Sequence, residues 1–521
     1  MSDSVRAKSS QVLSLVPTNQ QEFVAGQKCI IDVPPNIQFF KGSKAGSFLA
    51  LDVLNTSTTQ TRWALAGSGH SLISQIDIFS GSMAGGILLE SLTNYAQISQ
   101  IIDLYTHNDY TPLESKEGMR RPAFPYSGSA LRDVGSVRPI TTSSDALNAV
   151  NGQFSPISDT GVAKYVQRRI CLGLKSGILN YFDEEKLVPN LVLGGIRLEI
   201  TFAPADECLA KIAGVAGGVT YLLVSDDNGD GLPVSAQTGT TVTVPNCTIR
   251  DSGLAVGNAI VIEDNAVTTQ ATTITALVQN GTDLEITTAD AITNTNTAGF
   301  VRIAETGLSM DYRVKRAEYR CMEITPPDGM ANSIISGGMK YQFRTWKHFI
   351  DTIPSSSRRH VVELQSVASR AKALISMFVD SDDVTDPNMP NHLAGLNADG
   401  MSMNSYQYFI GNKLFPLRAV DPRVRSDKVL TQNEQVKAIS ATGRMPLSLG
   451  SSEAFDLDCY SSIFIIGREL ARGDYSVPLR ELEPQIRLGF SATRAFNVRV
   501  HTFVMEDNVI ISDSSGLRVE Y

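Results

Sequence analysis

Apolar and polar side chains alternate with a period of two through most of this chain, and that spacing restricts it to a fold built on sheets. In GIRLEITFAP (195–204), Ile196, Leu198, Ile200 and Phe202 fall on one face while Arg197, Glu199 and Thr201 fall on the other. AFNVRVHTFV repeats the pattern, with Phe496, Val498 and Val500 alternating with Asn497, Arg499 and His501. Further strands are expected at KCIIDV (28–33), FLALDVLN (48–55), LISQIDIF (72–79), VQRRICLGL (166–174), YRVKRAEYRCMEI (312–324), VVELQ (361–365), ALISMFV (373–379), YQYFI (406–410) and SIFIIG (462–467). Two segments break the alternation. SLTNYAQISQIIDLYTH (91–107) carries Leu92, Tyr95, Ile98, Ile101 and Ile102 at helical spacing, and TQNEQVKAIS (431–440) is a shorter, more polar helix candidate.

The alternating segments recur in order. IRLEITFA followed by YRVKRAEY in the first half matches IRLGFSAT followed by FNVRVHTF in the second. Both halves run strands, a helix, then strands. Two copies of one all-β module, joined near NSIISGGMKYQF (332–343), account for this and suit a chain of 521 residues, which is too long for a single core. In the second half a tight turn around Ser491–Arg494 links the two matched strands; in the first half roughly a hundred residues intervene. That stretch is rich in Thr, Gly, Ala and Asn. Between 211 and 305 it holds three basic side chains against ten acidic ones, a net of −7 out of the chain's −9. It also carries its own hairpin signal, ITALVQNGTDLEIT (274–287), where Asn280-Gly281 suits a type I′ turn. Residues 209–307 are therefore expected to form a small β domain inserted in a loop of the first module and exposed on an outer surface.

Several function classes find little support. No Lys/Arg-rich run or Arg-aromatic interleaving is present, so no specific nucleic-acid binding is expected. The first fifteen residues lack the apolar core of a secretory signal, and no window offers eighteen uninterrupted apolar residues. Cysteines 29, 171, 208, 247, 321 and 459 are scattered singly and read as reduced, mostly buried small hydrophobes. The six histidines are equally dispersed, with no spacing that suits a transition metal.

The chemical motifs are sparse. In SDDNGDGLPV, Asp226, Asn228 and Asp230 with Gly231 reproduce the opening of a calcium loop, but the twelfth position is Gln237 and the flanks read as strand and loop. The stretch reads as a solvated Asp/Asn/Gly turn; calcium held by Asp226, Asn228 and Asp230 is the one cofactor candidate, and no other cofactor is expected. Arg472-Gly473-Asp474 reads as a plain turn. The sequons at Asn55, Asn246 and Asn280 would matter only on a secretory route. Asp380, Asp382 and Asp383 crowd a strand end before Pro387 and read as a hydrated loop. No catalytic residues are assigned, and an enzyme is not expected.

Four stretches carry a family likeness: GGIRLEITFAPADECLA with YRVKRAEYRCMEI, YQFRTWKHFIDTIPSSSRRHVVELQSVASRAKALISMFVD, SYQYFIGNKLFP, and IRLGFSATRAFNVRVHTFVMEDNVIIS. In order and texture of strands they resemble the double jelly-roll major capsid proteins of icosahedral double-stranded DNA viruses, most closely the polinton-like virus and virophage members. The resemblance covers about residues 27–208 and 308–515. It implies an all-β chain of two jelly-roll sandwiches side by side: a first from 27–208 plus 308–333, a second from 334–515, an arm at 1–26, the insertion at 209–307 as an outer tower, and a tail at 516–521.

The implied role is mechanical. Three copies would form a trimer of pseudo-sixfold outline that tiles an icosahedral shell, assembled inside the host cell and residing in the virion. Expected partners are the chain itself, neighbouring capsomers, penton and minor capsid proteins, an inner membrane through residues 1–26, and a host receptor through residues 209–307. The principal rival is a secreted or cell-surface β-sandwich adhesin or carbohydrate-binding protein, with the insertion as its ligand domain. A β-rich glycoside hydrolase or lyase using Asp380 and Asp383 is a second; only two tryptophans, Trp63 and Trp346, speak against its aromatic sugar platform.

Overall fold

The computed structural model describes residues 9–106, 167–222, 231–304, 310–381, 401–422 and 465–520, apart from short interruptions. Eight strands frame a first sandwich, to one sheet of which the short strands Phe23–Val24, Phe39–Lys41 and Leu187–Val188 are added: β1 (Ser9–Leu15), β2 (Lys28–Val33), β3 (Phe48–Asn55), β4 (Ile73–Ser80), β5 (Leu88–Thr93), β6 (Gln167–Leu172), β7 (Ile196–Phe202) and β8 (Tyr312–Thr325). Eight more frame a second: β9 (Met339–Ile353), β10 (Arg359–Glu363), β11 (Ala371–Asp380), β12 (Met403–Ile410), β13 (Lys413–Val420), β14 (Ile465–Glu469), β15 (Gln485–Phe490) and β16 (Val498–Asp513).

Both sandwiches use one strand order. The first pairs β1-β8-β3-β6 in one sheet and β2-β7-β4-β5 in the other; the second pairs β9-β16-β11-β14 and β10-β15-β12-β13. Every ladder in these four sheets is antiparallel, and the order is that of a jelly roll. The repeated sequences occupy equivalent places, since IRLEITFA and IRLGFSAT form β7 and β15 while YRVKRAEY and FNVRVHTF lie on β8 and β16. Alternation explains the interior: Leu49, Leu51 and Val53 face Ile31, Leu198 and Ile200 across the first sandwich, while Leu374 and Phe378 pack with Ile486 and Leu488 in the second.

Four expectations change. Residues 516–520, read as part of a tail, form a strand paired with β16 from Val509 opposite Glu520 to Asp513 opposite Gly516. Residues 9–15, read as part of an arm, are β1, registered along β8 from Ser9 opposite Thr325 to Leu15 opposite Tyr319; Phe23 beyond it is fully buried. The segment SSQVLSL is short but alternates, and Leu13 and Leu15 turn inward against the core. The helix expected from 91 begins later, as α1 (Tyr95–Thr106), because Ser91–Thr93 complete β5 opposite Asp77–Gln75. Asn94, at φ 49°, turns the chain between them, a backbone region that Asn tolerates better than most residues. In the inserted hairpin, Asn280 pairs with Asp283, so the loop is Gly281-Thr282 and not Asn280-Gly281. Only Gly281 takes a positive φ (63°), the pattern of a type II′ turn. The segment 431–440 lies outside the described residues.

Successive antiparallel strands reverse direction, so alternate connections share one end of a sandwich. The β3–β4 connection, α1 after β5, and the chain after β7 meet at such an end: Ala64–Leu65 pair with Leu209–Ala210, and the Tyr95 hydroxyl bonds His70 at 2.9 Å. The insertion rises from there. Seven of its strands form one sheet, and Leu232, Val242, Ile260, Ile262, Ile286 and Val301 belong to a hydrophobic cluster separate from those of the sandwiches.

Candidate functional site

The joint between the sandwiches holds the densest set of buried charged groups among the described residues. It exists because the sheet β9-β16-β11-β14 is apolar on both faces. Leu374, Phe378, Val500 and Val504 point into the second core, whereas Ile375, Met377, Phe503 and Met505 point out and join the core cluster of the first sandwich. All ten residues of β11 are consequently buried. ALISMFV is the continuous apolar run that a strand covered on both sides requires.

Polar residues bind the seam. Glu90 on β5 is enclosed; burial pushes its pKa up, and hydrogen bonds from Ser176, Thr345, Gly177 and Ile178 pull against that rise. The Gly177 and Ile178 amides donate to its carboxylate at 3.0 and 3.2 Å. The Tyr341 hydroxyl donates to the Ile178 carbonyl at 2.9 Å, tying β9 to the same loop. Gly177 lies so close to β9 that a Cβ there would stand 1.9 Å from the Arg344 carbonyl oxygen. On β16, Glu506 accepts from Lys347 at 2.9 Å, and Asp507 pairs with Arg344 at 3.2 Å and Lys372 at 3.3 Å. Removing one partner of such a buried pair is strongly destabilising. A cavity of about 540 Å³ runs along the seam between Leu88–Ser91 and Thr345–Lys347.

Two histidines 153 residues apart also meet in the joint. Asn94 Nδ2 donates to His348 Nδ1 at 2.7 Å, which leaves the His348 Nε2–H to donate to His501 Nδ1 at 2.9 Å. The rings stack at 5.1 Å with 22° between planes. Burial lowers His348 to about 4; burial, then His348 and Arg499, lower His501 to about 3. Both imidazoles are neutral at pH 7. His501 was expected on a polar face, yet it is 2% exposed, because the first sandwich covers that face.

The corresponding outer face of the first sandwich is charged. Glu318 on β8 is 2% exposed beneath Arg169, Arg316 and Arg320, with Arg169 also 3.3 Å from Asp52.

Other sequence candidates do not gather into a site. Asp226, Asn228, Asp230, Arg472–Asp474, Asp382 and Asp383 lie outside the described residues, and Asp380 ends β11 opposite Val498. Among the described residues no three His, Cys, Asp or Glu side chains are grouped for a metal ion, and no helix is long and apolar enough to cross a membrane. Cys29, Cys208, Cys247 and Cys321 are buried, and burial raises Cys29 and Cys321 to about 12. Asn55 is fully buried, which removes one sequon from reach.

No family model matches the chain, and no curated protein matches its sequence. Its fold is that of the viral double jelly-roll major capsid proteins. The Faustovirus major capsid protein superposes with a TM-score of 0.51 at 8% identity, over 97% of this chain and 90% of that one. PBCV-1 VP54, fitted into a reconstruction of the virophage Sputnik, gives 0.48 at 10% identity over 99% and 98% of the two chains. The mavirus major capsid protein gives 0.35 at 9% identity over 98% and 90%.

Proposed function

We propose that this chain is a major capsid protein, three copies of which form a pseudo-hexameric trimer that tiles an icosahedral shell in the virion. One observation carries the reading: two sandwiches of identical strand order are locked side by side by a buried joint, so one chain supplies two of the six similar units a hexagonal outline needs. The fold shared with the Faustovirus protein supports it. The role is structural, with neighbouring capsomers, penton and minor capsid proteins as partners. The insertion, at the end shared by the β5–β6 and β7–β8 connections, serves as the outward tower and receptor-facing element. With β1 part of a sheet, contact with an inner membrane falls to residues before Ser9.

Negative-stain electron microscopy of the purified chain with light-scattering mass tests the reading. Trimers of hexagonal outline or closed particles are expected. A monodisperse bilobed monomer at every concentration refutes it and turns attention to glycan binding by an adhesin.

A further inference from the structure

The cavity along the seam has no part in the mechanical role. Leu88 follows the β4–β5 connection, and Ser369 and Arg480, which also line the cavity, lie in the β10–β11 and β14–β15 connections. By strand alternation these connections belong to the end opposite the insertion, so the cavity is distinct from any site on that domain. At about 540 Å³ it has the size of a ligand site, whereas one water takes about 30 Å³.

Three residues of the lining each keep a buried polar atom without a hydrogen-bond partner among the described residues. Glu506 Oε2 and Asn508 Oδ1 are acceptors, and Trp346 Nε1 is a donor. Buried groups of this kind are ordinarily paired, so three around one cavity define what its occupant supplies. It has to donate to two oxygens and accept from one N–H, and hydroxyl groups do both. It has to be uncharged, because Lys347 already matches Glu506 at 2.9 Å and burial drives Glu90 toward its neutral form. It also has to cover apolar surface, which Leu88 and Leu89 provide on the facing wall. An acyl chain would leave all three polar atoms unmet, and a bare ammonium would leave the indole N–H unmet.

We infer that this cavity binds a monosaccharide, with its hydroxyls on Glu506, Asn508 and Trp346 and its C–H face on Leu88 and Leu89. Arg480, exposed at the rim, adds guanidinium N–H donors for further hydroxyls. The site goes beyond the capsid reading and does not depend on it.

The test is saturation-transfer NMR on the full chain with D-glucose, D-galactose, D-mannose and N-acetyl-D-glucosamine, repeated on Ser369→Trp and Trp346→Phe. Circular dichroism checks that each variant is folded. At least one sugar is expected to give a saturable signal with the wild type. Ser369→Trp fills the rim of the cavity and should abolish that signal. Trp346→Phe keeps an aromatic ring but removes the N–H, and should weaken binding by roughly threefold to tenfold. No saturable signal from any of the four sugars overturns the assignment and leaves the cavity to water. A signal of unchanged strength in both variants also overturns it, by placing the sugar elsewhere on the chain. If Ser369→Trp misfolds, Trp346→Phe decides: unchanged affinity rejects the site. Neither failure touches the capsid reading, which particle mass and outline test separately.

Discussion

Acid is expected to destabilise the seam between the sandwiches through His348 and His501. Both folded pKa values, about 4 and about 3, lie below the ordinary value of 6.5, so the unfolded chain takes up protons first. Stability from this pair is therefore complete above about pH 6.5 and is lost as pH falls toward 4 and then 3. Integrated from neutral pH to 5.0, the linkage comes to about 2 kcal/mol for each imidazole, or about 4 kcal/mol for the pair. Charging His348 also breaks the link to Asn94, because a protonated ring no longer accepts from the Asn94 amide. Trp346, 3% exposed and in the same core cluster as Phe503 and Met505, reports the seam. In a Trp63→Phe background its fluorescence follows urea unfolding at pH 7.5 and 5.0, with a His348→Phe/His501→Phe variant as reference. Replacing both partners with apolar rings removes the titration at little cost in packing. Wild type is expected to lose about 4 kcal/mol more than the variant between the two pH values. Equal losses would falsify the assignment of the acid sensitivity to this pair.

Gly177→Ala drives a methyl group into the β9 backbone and is expected to cost roughly 3 kcal/mol, read as a lower urea midpoint for Trp346; an unchanged midpoint refutes the close approach. Residues 231–304, with their own core, are expected to fold when expressed alone and to give dispersed amide resonances; a disordered spectrum rejects their autonomy. The SDDNGDGLPV stretch reads as a turn, so millimolar calcium should leave the melting temperature of the full chain unchanged. A rise abolished by Asp226→Ala with Asp230→Ala reverses that reading and makes the loop a calcium site.

Strand order was largely legible because alternation, turn residues and duplication agree on it. Ile196, Leu198 and Ile200 announce β7 by themselves, and their repeat at Ile486 and Leu488 locates β15. The acidic, Thr-rich change of composition marked the insertion for the same reason: a local property stated it. The joint was not legible, because it is a property of two faces that meet only in the folded chain. Lys347, Glu506 and Asp507 look like solvent-facing residues of two amphipathic strands, and nothing local says that a second sandwich covers them. His348 and His501 offered no metal spacing because what joins them is the β9–β16 register, which pairs Ile350 with His501 and His348 with Phe503. One signal was present. ALISMFV alternates with nothing, and a strand apolar on both faces in an otherwise alternating protein implies a partner on each side.

The two outer faces differ in chemistry, and the difference follows from what each meets in the folded chain. The face on β9-β16-β11-β14 is covered by the chain that carries it, within one folding event, so Ile375, Met377, Phe503 and Met505 are never presented to other molecules once the chain is folded. The face on β1-β8-β3-β6 leaves Val12 60% and the Arg316 side chain 59% exposed. An exposed apolar surface of that extent would promote indiscriminate association. Arginines around a buried glutamate avoid this: they keep the free face soluble, and they still offer guanidinium groups that pair with a carboxylate or stack on a ring. Duplication supplied the same strand order twice, and the side chains on each outer face are those its own surroundings in the folded chain allow.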